Sequence, residues 1–371
     1  MMTGMLAATT VGAGIFALPW VFHNAGWQRA TGWLAILTTL VAFAGYSYWR
    51  ILDAVGERQR LVGLAREQLG RGWGFVTLLG VVGGVIFALV VYLILAQRFL
   101  AILFPLRSTA ALVLFWGLAV LPLTFNLRRF AILENAGTLL KCLLIIFIFF
   151  SATNYGAVFE SNTPIVPDFL FPFGAILFAL VGWNAVEPMY EFWKGRQIGS
   201  GRGQAGPSPL RAIVGGTFVI AILYFLFSAG ILGSLTNGSF LSPDTLSGLV
   251  GWPFWKVATL AALGVLALWT AYGINALEAE NALRKDLRWN SNVAFAVIAL
   301  APLFVVLSGF NNILLAVGFA GGVFIGLQYM TIFTLAERVL RPQPLVKWIM
   351  RLAGLIFALA ALYEIYSFVV G

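Results

Sequence analysis

The sequence has little charge and few of the residues that catalysis or metal binding requires. Only 10% of its 371 residues are charged, and it contains one histidine and one cysteine, Cys142. A soluble globular domain has about 25% charged residues, so this class is excluded. A membrane-embedded enzyme would need clusters of histidine, cysteine or carboxylate side chains. The scarcity of these residues argues against an enzyme.

The sequence is instead rich in long apolar runs. Hydrophobic residues make up 61% of the chain, and the mean hydropathy is +0.93. Many runs reach the length of about 20 residues that a helix needs to cross a bilayer. The runs are continuously apolar rather than alternating, which excludes a β-barrel. We therefore predict an all-α polytopic membrane protein, with the lipid bilayer as its main partner.

We predict eleven transmembrane spans in a single transmembrane domain over residues 1–371. The loops between the spans are too short to form a separate soluble domain. The predicted spans are 3–25, 31–52, 74–104, 109–126, 138–155, 172–192, 212–235, 253–277, 291–308, 311–335 and 349–370.

The distribution of basic residues predicts a cytoplasmic N-terminus in the cell membrane. With this orientation, 19 of the 23 lysines and arginines, Lys141 among them, fall on the cytoplasmic side, as the positive-inside rule requires. The net charge of +9 is therefore a topology signal. Because the basic residues are dispersed over five short loops, no nucleic-acid partner is indicated. The four on the outer side are Arg29, Arg98, Arg107 and Lys256.

Two of the predicted spans carry helix breakers near their middle. Gly12 and Gly14 interrupt the first span, and Gly182 with Pro188 interrupts the sixth. Glycine and proline are the poorest helix formers. Glycine is also a common packing residue between membrane helices, so a packing role is the alternative for each glycine. The two interrupted spans stand five apart and therefore cross the membrane in opposite directions.

Paired interrupted spans of this kind indicate an inverted-repeat transporter whose substrate binds between them. The predicted repeats cover about 3–155 and 172–335, and an extra helix covers about 349–370. Irregular backbone at membrane depth is tolerated where it is buried in protein or lines a cavity. Free N–H groups at a half-helix N-terminus attract a carboxylate, and free carbonyls at a half-helix C-terminus attract an ammonium group.

Three segments resemble the amino acid/auxin permease family of the amino acid–polyamine–cation superfamily. They are residues 12–19 (GAGIFALP), residues 178–190 (FALVGWNAVEPMY) and residues 210–218 (LRAIVGGTF). The resemblance implies a five-plus-five inverted repeat of the leucine-transporter type, with helices 1 and 6 broken and an eleventh helix added. It also implies secondary active transport of an amino acid, without a cofactor, driven by a proton or sodium gradient.

The resemblance places the substrate between helices 1 and 6, with helices 3, 8 and 10 completing the pocket. Backbone N–H groups of Gly12, Ala13 and Gly14 would bind the substrate carboxylate. The amino group would bind carbonyls at Thr9, Thr10, Phe178, Ala179 and Val181. Trp183 would be a lid or a pocket wall, or simply a packed aromatic. The aromatic residues proposed to complete the pocket are Tyr92, Trp269 and Phe319.

The coupling ion is either a proton or sodium, or the transporter is uncoupled. Glu187 is the candidate proton carrier, because an ionisable side chain inside a membrane is a functional hypothesis by default. Its alternative role is an ion pair with a cytoplasmic arginine such as Arg196. Glu364, in the extra helix, is expected at the membrane interface.

A sodium site in this fold would use the carbonyls of Ala8 and Val11 and the hydroxyl of Thr270. Sodium-coupled relatives place a polar side chain at the position of Ala8, so its absence favours a proton or no ion.

Three other functions are weighed against an amino acid transporter. A channel would need a polar or charged ring along its pathway, and none is visible. For an enzyme, the sequence lacks the clusters of catalytic side chains. A transporter of the same fold for a polyamine, an inorganic cation or a nucleobase is opposed only by the family resemblance.

Overall fold

The structure is a computed structural model, and the long elements of regular secondary structure in the residues it describes are all helices. The described residues are 2–56, 60–121, 128–152, 154, 156, 165–199, 208–235, 241–249, 251–285 and 287–370, and for 128–137, 196–199 and 285 only the backbone is described. Within this part of the chain β-type pairing is limited to isolated bridges in the segment 242–249, one of which joins Ser242 and Thr245.

A helix lies at each of the eleven predicted positions, and we number the helices α1 to α11. Both α1 and α6 consist of two halves. A short connecting helix, Leu61–Gln68, lies between α2 and α3. The bounds are α1a Met2–Thr10, α1b Leu18–Ala25, α2 Trp27–Val55, α3 Arg71–Leu103, α4 Ser108–Val120, α5 Arg128–Phe150, α6a Phe173–Leu180, α6b Val186–Gly199, α7 Arg211–Leu232, α8 Phe254–Lys285, α9 Ser291–Leu307, α10 Ile313–Leu340 and α11 Pro344–Val370.

Most of these helices are long and apolar enough to cross a membrane. Seven meet this criterion, or eight when the bent pair α1a and α1b counts as one span. The other apolar helices are shorter: α4, the Thr138–Phe150 part of α5, and α9. The protein is therefore an integral membrane protein. The count of eleven spans and the internal repeat stay predictions.

The core of the bundle is formed around α3. Its most apolar window has a mean hydropathy of 2.8, and every residue from 88 to 97 is buried. A helix that is apolar on all sides can be surrounded by other helices or by lipid, and α3 packs against α4, α8 and α10. In contrast, only 28% of the corresponding window of α11 is buried, against 67% for α3. The eleventh helix thus lies at the periphery.

Glu364 lies on the buried face of this peripheral helix and is only 9% exposed. Its side chain fills a notch formed by three glycines, Gly174 of α6a and Gly318 and Gly322 of α10. A Cβ atom on Gly318 would lie 2.5 Å from Glu364 Oε2. The expectation of an interfacial Glu364 is therefore wrong. Three residues without side chains make room for a carboxyl group between the helices.

Candidate functional site

The predicted break in the first span lies between Thr10 and Ala13. Gly12 has φ −120° and ψ −148°, far from helical values, and the helix axis bends by 50°. The N–H of Gly12 donates to the carbonyl of Thr10 at 2.8 Å. The chain then continues as a tight helical segment, Ala13–Ala17. The break leaves backbone groups on both sides of Gly12 outside regular α-helical pairing.

The break in the sixth span lies at Val181 and Gly182. Val181 has φ −59° and ψ 122°, and Gly182 has φ −154° and ψ 4°, so neither residue is helical. Helical structure resumes at Trp183–Ala185, where the N–H of Ala185 donates to the carbonyl of Gly182 at 3.2 Å. The two predicted interruptions are thus both present in the structure.

The two breaks lie against each other. A Cβ atom on Gly14 would lie 2.5 Å from Ala179 Cα, and one on Gly182 would lie 2.6 Å from Thr10 Oγ1. For Gly14 and Gly182, the packing role that the sequence left open is therefore real. Glycine is required at these positions because the broken helices approach each other closely.

A single tyrosine of α7 connects the two breaks. The Tyr224 hydroxyl lies 2.7 Å from the carbonyl oxygen of Thr10 and 2.8 Å from that of Ala179, with hydrogen-bond geometry to both. Both carbonyls were predicted to receive the substrate amino group. They are instead directed at a side chain that is fully buried in the core, so the prediction for these two carbonyls needs correction.

A central cavity of about 50 Å³ lies beside the breaks, lined by residues of α1, α3, α6, α8 and α10. The structure brings nine of the twelve predicted substrate residues to its wall. These nine are Thr9, Thr10, Gly12, Ala13, Gly14, Tyr92, Phe178, Val181 and Trp183.

The remaining three are Ala179, whose carbonyl oxygen lies 2.8 Å from the Tyr224 hydroxyl, and two aromatic residues that lie elsewhere. The indole of Trp269 donates to the carbonyl of Leu118 in α4 at 2.8 Å. The α8 residue Asn275, which does line the cavity, is six residues further along. At 3.6 residues per turn, that spacing places the two side chains on different faces of the helix.

Phe319 is the second of these residues. Its ring packs against Phe87 of α3 and Phe368 of α11, with ring centroids 5.2 and 4.9 Å apart. For both residues, the sequence indicated an aromatic side chain on the expected helix but not which face of that helix it occupies.

Four further polar residues of the cavity wall were not among the predicted site residues. Asn275 of α8 donates to the Tyr92 hydroxyl at 3.2 Å. Glu278 of α8 accepts from Asn184 Nδ2 at 3.0 Å.

Gln328 of α10 connects the cavity wall to two other helices. It accepts from Trp183 Nε1 at 2.5 Å and donates to the carbonyl of Gly80 in α3 at 2.8 Å. All four polar residues, Asn184, Asn275, Glu278 and Gln328, line the cavity. A polar side chain within an apolar helix was the signal that could have found them.

A wider cavity of about 1720 Å³ adjoins the central one. It lies between α3, α6b, α8 and the connecting helix. Three residues, Thr9, Asn184 and Glu278, line both cavities. The basic residues that line it mark this as the arginine-rich side of the protein: Arg60, Arg66, Arg71, Lys194 and Arg288.

The opposite side of the central cavity is closed. Arg98 of α3 forms an ion pair with Asp244 at 3.1 Å and donates to the carbonyl of Asn311 at 3.1 Å. Asp244 is fully buried, whereas the arginine side chain is 28% exposed. Beneath this pair, the rings of Phe16 and Phe99 meet with their centroids 4.9 Å apart. The route from the central cavity to this side is therefore filled by side chains.

Glu187 lines the wider cavity and not the central one. Its carboxylate accepts hydrogen bonds from the Tyr48 hydroxyl of α2 and, at 3.3 Å, from the N–H of Leu61 in the connecting helix. The alternative partner, Arg196, has a side chain outside the described part of the structure. Glu187 therefore connects three helices at the arginine-rich side.

Two of the predicted sodium ligands, Val11 and Thr270, have hydrogen-bond partners within the protein. Lys141 of α5 donates from Nζ to the carbonyl of Val11 at 2.8 Å. Thr270 bonds back to the carbonyl of Ala267 in its own helix at 3.1 Å, and Ala8 lines neither cavity. Lys141 was counted among the loop charges. It lies instead within α5, with its ammonium group at the α1 break.

Known structures share the fold of this chain. MhsT in complex with L-phenylalanine matches with a TM-score of 0.67 at 14% identity, over 97% of this chain and 98% of that one. A mutant of the Eremococcus coleocola manganese transporter matches with a TM-score of 0.66 at 14% identity, over 99% and 85%. The nucleobase-cation-symport-1 transporter Mhp1, closed around bromovinylhydantoin, matches with a TM-score of 0.54 at 14% identity, over 99% and 91%. At such identities the likeness concerns the fold.

Sequence comparison identifies the family. No curated protein sequence matches this chain significantly. The family model described as transmembrane amino acid transporter protein matches residues 1–191, just over half of the 371 residues. This match confirms the resemblance drawn from the broken helices. The chain belongs to the transmembrane amino acid transporter protein family.

Proposed function

We propose that this protein is a secondary active transporter that binds an amino acid in the central cavity and moves it by alternating access. The observation that carries this proposal is the asymmetry of the site. The central cavity adjoins a wide cavity on the arginine-rich side, and the Arg98–Asp244 pair closes the other side. With the orientation predicted from charge, the arginine-rich side is cytoplasmic, and the structure corresponds to an inward-facing arrangement.

The proposed carboxylate site is the α1 break. Free N–H groups at the start of a helical segment attract anions, and Ala13–Ala17 begins beside the cavity. A Cβ atom on Gly12 would have the Tyr92 hydroxyl 3.9 Å away and nothing closer. The space beside Gly12 is therefore open, and a carboxylate can approach the backbone there.

The proposed substrate is a neutral amino acid with an apolar side chain. One wall of the central cavity consists of apolar side chains from α3, α6 and α10. A pocket of this kind binds apolar groups, with a few polar groups that fix orientation. The apolar residues of this wall are Val81, Val85, Ala88, Phe178 and Ile325.

We propose a proton as the coupling ion. The ammonium group of Lys141 already binds the Val11 carbonyl that sodium would use, which argues against sodium. Glu187 lines the wide cavity, and its carboxylate accepts hydrogen bonds from the Tyr48 hydroxyl and the N–H of Leu61. Loss of its charge on protonation would weaken both hydrogen bonds. Protonation of Glu187 would therefore loosen α6b from α2 and the connecting helix.

The proposal is tested with purified protein in proteoliposomes. Binding of each of the twenty amino acids is measured first, and uptake is then measured under an imposed proton or sodium gradient. We expect binding of at least one neutral amino acid and uptake that a proton gradient stimulates. A protein that binds none of the twenty would contradict the proposed substrate. Uptake that is indifferent to both gradients would contradict coupled transport.

A further inference from the structure

Two of the five carbonyls predicted to receive the substrate amino group are engaged elsewhere. The Tyr224 hydroxyl interacts with the carbonyl oxygens of Thr10 and Ala179. The neighbouring carbonyl of Val11, predicted as a sodium ligand, accepts a hydrogen bond from Lys141. An ammonium group in the central cavity therefore has fewer backbone acceptors than predicted, and a charged group that leaves water must be paired or hydrogen-bonded. The question is which further acceptors the cavity offers.

The carboxylate of Glu278 is one such acceptor. It lines both the central and the wide cavity, and Asn184 Nδ2 holds it at 3.0 Å. Asn184 lies directly beyond the α6 break, and its Oδ1 atom is buried without a hydrogen-bond partner among the described residues. A buried amide oxygen without a partner is costly. The carboxylate and the amide oxygen together form an acceptor pair that a donor from a ligand would complete.

The charges around the central cavity are unbalanced. Neither lysine nor arginine is among the described residues that line it, whereas Glu278 is. The nearest positive charge acting on Glu278 comes from Arg60, which lines the wide cavity and not the central one. A carboxylate in a membrane protein interior is unfavourable unless it is well paired. A positively charged group in the cavity would therefore be stabilised by Glu278.

We propose that Glu278, with Asn184 Oδ1, binds the α-ammonium group of the transported amino acid. Asn275, which contacts Tyr92 beside the carboxylate site, precedes Glu278 by three residues on the same face of α8. Three residues rise about 4.5 Å along a helix. One carbon atom separates the carboxylate and the ammonium group of an α-amino acid. The substrate can thus place its carboxylate at the α1 break and its ammonium group at Glu278.

This inference rests on the proposed function and gives α8 a role that the family resemblance had assigned to backbone carbonyls. Glu278 becomes the residue that selects for an amino group. It also lies between the substrate and the wide cavity, so release on that side requires the ammonium group to leave the carboxylate.

The test combines a change in the protein with a change in the ligand. Wild-type protein and the Glu278→Gln variant are each titrated with a neutral amino acid that the wild type binds. Both are then titrated with its 2-hydroxy analogue, which lacks the ammonium group. The matched control is Glu280→Gln, because Glu280 is on the same helix, pairs with Arg284 at 3.2 Å and lines neither cavity. Thermal unfolding in detergent checks that each variant is folded.

We expect Glu278→Gln to weaken binding of the amino acid by about tenfold or more, since hydrogen bonds to charged groups are the strong ones. Its binding of the 2-hydroxy analogue should change little, and Glu280→Gln should behave as the wild type. An equal loss for both ligands would overturn the proposal, because it would show a structural role only.

Two further results would overturn the proposal without reference to any variant. One is wild-type protein that binds the 2-hydroxy analogue as tightly as the amino acid. The other is clear preference for lysine or arginine, which would assign Glu278 to a side-chain cation. A wild type that binds no amino acid at all would contradict the proposed function itself, so the two failures are distinguishable.

Discussion

Lys141 Nζ donates a hydrogen bond of 2.8 Å to the carbonyl oxygen of Val11, across the interface between α5 and the α1 break. A protonated lysine carries the same unit charge as sodium and binds the same kind of oxygen ligand. It is part of the chain and does not leave during a transport cycle. The Val11 carbonyl, predicted as a sodium ligand, therefore already binds a covalently attached cation.

The first prediction follows from this contact. Amino acid binding and uptake should be unchanged when sodium in the buffer is replaced by choline. Lys141→Gln should reduce uptake strongly, because the carbonyl of Val11 loses a charged donor next to the proposed site. The matched control is Lys256→Gln. Lys256 packs over Trp252 and Trp255 and lines neither cavity. Uptake in the wild type that requires sodium would show that the lysine does not replace the ion.

Two neighbouring glycines of the α1 break should respond differently to substitution. Gly14→Val should destabilise the protein, because a side chain at Gly14 collides with the Ala179 backbone. Gly12→Ala should leave stability nearly unchanged, since its methyl group has open space. It should weaken substrate binding, because that space is the proposed carboxylate site.

Thermal unfolding and ligand titration separate the two effects. If Gly12→Ala binds the amino acid as the wild type does, the carboxylate lies elsewhere. If Gly14→Val unfolds at the wild-type temperature, the close approach of the two breaks is not required for stability.

The glycine notch around Glu364 predicts that substitutions at Gly318 in α10 and at Glu364 in α11 have non-additive effects on stability. Gly318→Ala should lower the free energy of unfolding by about 1–3 kcal/mol, as overpacking of a well-packed core does, because its methyl group would meet Glu364 Oε2. In a Glu364→Ala background the same substitution should cost less. The measurement is thermal unfolding of the four proteins of this cycle. Additive effects would mean that the two side chains do not share the notch.

The helices and their order could be predicted from the sequence because apolar runs of membrane length are a strong signal. The breaks in α1 and α6 could be predicted as well, since Gly12 and Gly182 are poor helix formers in apolar surroundings. The sequence carries no comparable signal for the rotation of each helix about its own axis. Trp269 and Phe319 were therefore assigned to a pocket that their helices direct them away from.

Glu278 shows a different limit of sequence reasoning. The predicted eighth span ended at residue 277, because charged residues usually mark the membrane interface. The helix continues to Lys285, which leaves Glu278 inside the bundle at the junction of two cavities. Lys141 lies inside the predicted fifth span, 138–155, but was counted among the cytoplasmic charges. Composition identifies a charge, but only packing decides whether it lies in a loop or within the core.

The ion pair between Arg98 and Asp244 predicts how the closed side opens. Asp244 also accepts hydrogen bonds from Ser242 and Ser247, so its carboxylate organises the loop around it. Asp244→Asn should weaken this closure. A cysteine introduced at Leu315, beside Arg98, should then react faster with a membrane-impermeant maleimide in a Cys142→Ala background. Arg107→Gln serves as the control, and equal labelling rates in all three proteins would show that the ion pair does not hold this side closed.

Glu187 and Glu191 are two glutamates on one helix that should differ in their effect on proton coupling. Both line the wide cavity, but Glu187 holds Tyr48 and the N–H of Leu61, whereas Glu191 is exposed. Glu187→Gln should abolish the stimulation of uptake by a proton gradient while amino acid binding persists, because glutamine keeps the shape but cannot exchange a proton. Glu191→Gln should retain the stimulation. The measurement is the initial uptake rate as a function of pH in proteoliposomes, and a Glu187→Gln profile that coincides with that of the wild type would exclude Glu187 as the proton carrier.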